Sequence, residues 1–251
     1  MVDMSLKIGI VGLPNVGKST LFQALTRKQV DTSNYPFATI EPNIGIVEVE
    51  DARVDTLADF SKSKKRIPAV IEFVDIAGLV KGASTGEGLG NQFLAHIREV
   101  DAIVQVVRAF EDSNIVHIES SINPDRDRDI IETELFMADL ATSEKTIARY
   151  EKETKSGSLN ARVQLEAARS ITEHIKAGKR APEALAEAAR DMQLLTAKPI
   201  LYLYNTKEDT GRPTSSVDVG RPNYLHLNIK LEEELSRMSR EEQTELDIMP
   251  N

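Results

Sequence analysis

The chain has 251 residues, 41% of them hydrophobic and 5% aromatic, with no cysteine, no tryptophan and a formal net charge of −9. That length and apolar content allow one large domain, or one domain with an insertion, around a sizeable core. The missing cysteines exclude disulfides and thiolate metal sites, and the acidic balance argues against a whole-surface nucleic-acid binder, though not against a local basic patch.

The start, Met1-Val2-Asp3-Met4-Ser5, does not place a basic segment before an apolar run, as a signal peptide would. No apolar stretch approaches the length of a membrane span. The expectation is a soluble cytoplasmic protein. Leu6 to Val11 is a short apolar run ending at Gly12, a buried strand by its length and flanks. Ser19 to Arg27 has helical spacing at Leu21, Phe22 and Leu25. Ile44 to Val49 alternates as a strand does, and Ala69 to Val74 is another, ending at Asp75. Ala102 to Val107 is continuously apolar, as in a strand covered on both faces. Ile200 to Tyr204 and Tyr224 to Leu227 complete the set. Strands separated by helical segments imply an α/β fold with a mostly parallel sheet and ligands at the strand carboxyl ends.

From about Asp127 to Ala197 the strand rhythm stops. Ile131, Leu135 and Ala138 have helical spacing, as do Val163, Ala167, Ile171 and Ile175. Ser156-Gly157-Ser158 divides the two runs, Ala177-Gly178-Lys179 ends the second, and Pro182 suits the first turn of a third helix. The pattern fits a helical hairpin of the antiparallel coiled-coil kind at 127–196, inserted into a nucleotide-binding domain made of 1–126 and 197–251. Its mixed charges read as a solvated face rather than a binding surface.

The segment Gly12-Leu13-Pro14-Asn15-Val16-Gly17-Lys18-Ser19 fits G-x-x-x-x-G-K-[ST], and it lies between a predicted strand and a predicted helix. In that context backbone N–H groups curl inward onto phosphate oxygens, and the helix N-terminus adds partial positive charge. Lys18 should reach the β- and γ-phosphates and Ser19 should supply a hydroxyl to Mg²⁺. Asn15, Val16, Gly17 and Thr20 are the remaining candidate contacts here. Asp75-Ile76-Ala77-Gly78 follows a strand in the Asp-x-x-Gly form. Asp75 would hold Mg²⁺ through water, and the Gly78 N–H would sense the γ-phosphate. Thr39 is placed like a switch threonine that completes the Mg²⁺ shell. The arrangement predicts a P-loop nucleoside triphosphatase.

The phosphate loop and the Thr20-Leu21-Phe22 that follow it, together with Tyr35-Pro36-Phe37-Ala38-Thr39-Ile40-Glu41-Pro42-Asn43, resemble the Obg-related translation-factor GTPases. Asp75 to Ser84, Gly86 to Phe93 and Asn205-x-x-Glu208 narrow the resemblance to the YchF type, the Obg-like ATPases. It covers nearly the whole chain, the helical insertion included. It implies a slow ATPase switch that works with the ribosome or another part of the translation machinery. Family members normally continue into a C-terminal TGS domain. This chain ends at Asn251 before one, which suggests a truncated product.

Base choice depends on one segment with two registers. Thr206-Lys207-Glu208-Asp209 matches a guanine-reading T-K-x-D. The spacing from Pro199 instead makes Asn205 the first motif residue and puts Glu208 where the guanine-reading Asp would be. Glu is one methylene longer and would misplace its carboxylate, whereas adenine has no N1–H to lose. This register and the resemblance both favour ATP. Asn228-Ile229 stands where a second base loop is expected. Leu79 occupies the place of the water-orienting Gln of many GTPases and has no group to do that work. The resemblance offers His117 instead, which is otherwise a structural histidine. Asn15 is a candidate ligand for K⁺. Two other functions remain open: a GTP-specific Obg-type switch, and a non-catalytic nucleotide-sensing module that docks a partner.

Overall fold

The computed structural model describes residues 5–27, 43–76, 89–111, 122–207, 223–239 and 242. Its centre is a six-stranded sheet in the order β2-β3-β1-β4-β5-β6. The strands are β1 (Leu6–Val11), β2 (Ile44–Glu48), β3 (Val70–Asp75), β4 (Ala102–Arg108), β5 (Ile200–Asn205) and β6 (Asn223–Leu227). Every pairing is parallel except that of β2 with β3. The mostly parallel α/β sheet predicted from the sequence is therefore present. β4 is buried along nearly its whole length because side chains cover both of its faces.

Helices α1 (Lys18–Thr26), α2 (Ala52–Ser61), α3 (Leu89–Glu99) and α7 (Ile229–Leu235) accompany the sheet. The apolar spacing of α1 was expected, and α3 carries one as well, in Phe93, Leu94 and Ile97, all buried. α2 is marked by its ends instead: the Asp51 side chain accepts from the Arg53 N–H, and Lys62 closes it in the left-handed conformation.

The region without strands contains α4 (Pro124–Lys155) and α5 (Leu159–Lys176), packed as a hairpin, followed by α6 (Ala186–Asp191). Asn123 caps α4 by accepting from the Arg126 N–H, with Pro124 in the first turn where it loses no hydrogen bond. Ser158 caps α5 in the same way through the Ala161 N–H. The apolar stripe of α5 differs from the expected one. Val163 is 68% exposed, and the buried line is Ala161, Leu165, Ala168, Ile171, Thr172 and Ile175. Repeated steps of four drift about 40° each around a 3.6-residue turn, so alternating steps of three and four stay on one face. Pro182 lies one element earlier than expected: it is extended and precedes a 3-10 turn at Glu183–Leu185, and α6 starts at Ala186.

The first half of α4 lies on the main core through Ile131, Leu135 and Ala138. Beyond it, Tyr150 and the α5 stripe form a second core with Ala189, Met192 and Leu194. Buried Asp139 joins the two. Its carboxylate accepts from the backbone N–H groups of Leu195 (2.8 Å) and Thr196 (2.8 Å) and from the Thr196 hydroxyl (2.7 Å). Those residues begin the 3-10 turn Leu195–Ala197 that leads into β5.

Candidate functional site

The loop between β1 and α1 has a backbone that few residues can adopt. Asn15 and Gly17 both have positive φ, at 63° and 107°. Asn is among the side chains that tolerate this region, and Gly has no Cβ to clash. A Cβ on Gly17 would also stand 2.6 Å from the Asn205 Nδ2, and one on Gly12 would stand 2.6 Å from the Val106 carbonyl oxygen. Both glycines are therefore required by close approach as well as by the motif.

Lys18 opens α1 and folds back over the loop. Its ammonium donates to the Gly12 carbonyl (3.0 Å) and the Leu13 carbonyl (2.9 Å). Burial lowers its pKa from the ordinary lysine value, and the nearby Asp75 carboxylate partly opposes the shift. The next residue, Ser19, donates to Asp75 Oδ2 at 3.3 Å across the gap between α1 and β3. Burial raises the Asp75 pKa, with Lys18 and Ser19 pulling it back. One hydroxyl and one carboxylate thus face each other at the foot of the loop. These hard oxygens are the donor type that Mg²⁺ prefers, and Mg²⁺ commonly takes only one or two protein ligands beside phosphate oxygens.

Asn205 ends β5 and holds two loops together. Its Nδ2 donates to the Val16 carbonyl at 3.0 Å, and its Oδ1 accepts from the Ile229 N–H at 3.2 Å. Val16 itself is buried, so its part in the site is that carbonyl. Asn228 caps α7 by accepting from the Leu231 N–H (3.1 Å) and donates to the Lys207 carbonyl (3.0 Å). The Thr206 N–H completes the link on the Leu227 carbonyl at 2.9 Å. A cavity of about 890 Å³ runs from the phosphate loop to these base-loop residues, with Asn15, Gly17, Lys18, Ser19 and Thr20 at one end and Asn205, Thr206, Asn228 and Ile229 on its walls.

The structure brings all of those sequence-derived residues to one place. Thr39, Gly78, Leu79, His117, Glu208 and Asp209 lie outside the described residues. Phe110, Gln23, Leu231 and Glu233 line the cavity too, and motif reading missed them. Phe110 was findable by position, because it follows the carboxyl end of β4. The Arg108 guanidinium stands 4.7 Å from its ring centroid and donates to its carbonyl at 3.1 Å. Gln23 and Glu233 carry no motif signal; only the packing of α1 beside α7 puts them here.

Strand, left-handed loop, helix-opening lysine and the Ser19–Asp75 corner together define a P-loop nucleoside-triphosphate-binding domain. The family model described as 50S ribosome-binding GTPase matches residues 7–138. The ribosome-binding ATPase YchF of Escherichia coli O157:H7 is 50% identical over 211 residues, which are 82% of this chain and 58% of that protein. Its Bacillus subtilis (strain 168) counterpart is 49% identical over the same shares. The solved structure of the Schizosaccharomyces pombe YchF GTPase superposes with a TM-score of 0.76 at 36% identity, covering 99% of this chain and 73% of that one. The chain belongs to the YchF family. It spans about 58% of the length of the curated relatives it matches.

Proposed function

We propose that this chain is a Mg²⁺-dependent nucleotide switch that hydrolyses ATP to ADP slowly and acts on the ribosome. The observation that carries the proposal is the corner at the foot of the phosphate loop. A buried ammonium on two loop carbonyls lies beside a serine hydroxyl that meets a strand-end carboxylate. A triphosphate would replace the two carbonyls as the partner of Lys18. Ser19 and Asp75, joined by Thr39, would hold Mg²⁺, which when bound neutralises charge on the phosphoryl oxygens. Gly78 is the candidate γ-phosphate sensor and His117 the candidate for positioning water. With Leu79 in place of a Gln, unassisted turnover should be slow, since absent stabilising groups cost roughly 10³–10⁵ in rate.

Support for adenine comes from the relatives, described as ribosome-binding ATPases, and from the register that puts Glu208 where a guanine-reading Asp would be. The ribosome reading rests on the same relatives and on the 50S ribosome-binding family model. No helix among the described residues is long and apolar enough to cross a membrane.

A GTP-specific switch is the second reading, favoured by the GTPase description of both the family model and the solved fission-yeast relative. Calorimetric titration with ATP, GTP and their diphosphates, with and without Mg²⁺, separates the two. ATP should bind the tighter, and only with Mg²⁺ at full strength; tighter GTP binding would sink the adenine assignment. Asn15, with its left-handed backbone at the loop's crest, is the candidate K⁺ ligand. Turnover should then be faster in potassium than in sodium buffer, and equal rates would remove that role.

A further inference from the structure

Glu233 is a carboxylate on the wall of a cavity that takes a polyanion. Its side chain is only 9% exposed. An ionised carboxylate there would repel phosphate and be costly to bury unless it were paired. It is paired twice. Arg27, just past the end of α1, places Nη1 3.5 Å from Oε1, and Arg237, just past α7, donates to the same oxygen from Nε at 2.7 Å and contacts it again through Nη2.

The position of Glu233 along α7 gives this pairing its consequence. It lies four residues after Ile229, one turn on and on the same helix face. Both are buried, and Ile229 is the residue whose N–H meets Asn205. The Ile229 side chain also packs toward the phosphate loop, its Cδ1 3.6 Å from where a Cβ on Gly17 would be. A tether at Glu233 therefore sets the rotation of α7 about its axis. That rotation aims the Asn228–Ile229 segment at the base end of the cavity. The phosphate end has its own supports, Lys18 on Gly12 and Leu13 and Asn205 on Val16.

We infer that Glu233 is a positioning residue for base recognition, holding α7 to the end of α1 through Arg27, with Arg237 fixing the carboxylate from the end of α7 itself, so that the base loop keeps its register against the phosphate loop. This rests on the nucleotide-binding reading of the same cavity. A wall carboxylate acting by charge alone has the opposite signature, because removing its charge would tighten every polyanion.

The test is calorimetric titration of the whole chain, as wild type, Glu233→Gln and Arg27→Gln, with ATP and with inorganic tripolyphosphate, both in Mg²⁺. Thermal unfolding of each variant accompanies the titration. Glu233→Gln should weaken ATP by about tenfold, the scale of one or two lost hydrogen bonds, and leave tripolyphosphate within about twofold. Arg27→Gln should shift ATP in the same direction by a smaller factor, because it removes the pairing that crosses to α1 while Arg237 still holds the carboxylate. The inference is overturned if Glu233→Gln binds ATP like wild type, weakens both ligands equally, or tightens tripolyphosphate. If Glu233→Gln does not fold, Arg27→Gln decides, and unchanged ATP affinity overturns the inference. Wild-type protein that binds neither ligand overturns the reading of the cavity itself, and the inference with it.

Discussion

In the phosphate loop, Asn15 and Gly17 take left-handed backbones within three residues, and a buried lysine turns its charge onto the loop's own carbonyls. In the helical hairpin, the 32 residues of α4 and the 18 of α5 run without such an outlier, capped at each start by the side chains that capping chemistry favours. The loop is held in a costly conformation by everything around it, and a ligand can use the groups that conformation exposes. The hairpin is built from local preference plus one buried stripe, so most of its surface is free to vary. Sensitivity to substitution should therefore follow pinned contacts in the loop and, in the hairpin, burial and the Asp139 joint.

The largest break in that comparison comes from Lys18→Ala. Loss of a positioned charge at the phosphates should cost about 10²–10³ in hydrolysis rate with little change in unfolding. A loss under tenfold in single-turnover assays would mean that Lys18 does not serve the phosphates.

Next is Asp139→Ala, which strands two backbone N–H groups and one hydroxyl at the joint between hairpin and sheet. Each stranded donor costs about 1–3 kcal/mol, so urea unfolding should lose at least about 2 kcal/mol. Loss below 0.5 kcal/mol, the scale of an ordinary surface change, would show that the joint carries no load.

A smaller effect is a proton. Burial holds the Lys18 pKa below the ordinary lysine value in the ligand-free fold. A bound polyphosphate raises it again, because opposite charge favours the ammonium. Binding should therefore take up a proton between the lowered pKa and the ordinary one, and affinity should fall as pH rises through that interval. Titration calorimetry in two buffers of different ionisation heat measures the uptake; affinity that rises with pH there would contradict it.

The smallest expected change is at Val163, whose apolar side chain stands in solvent on α5. Val163→Ala should move stability by no more than about 0.5 kcal/mol, whereas Ile171→Ala on the buried stripe should cost about 2–5 kcal/mol. Similar costs at both positions would mean that Val163 has a packing partner.

The sequence by itself determined the phosphate loop, the Asp75 strand end, the Asn205 strand end and the mostly parallel sheet. These are local matters: a strand, a turn that needs glycine and a helix start lie within consecutive residues, and apolar period reports burial directly. It also carried the hairpin, but not which side of α5 faces inward, since Val163 and Leu165 are both apolar and only the drift of the helix chooses between them. Tertiary structure decided what depends on residues far apart. Asn205 became a bridge because β5 brings its side chain against Val16, 189 positions away, and against Ile229 at once. Asp139 and Glu233 have no motif; their roles exist only because packing removes them from water and leaves each with one set of partners to meet.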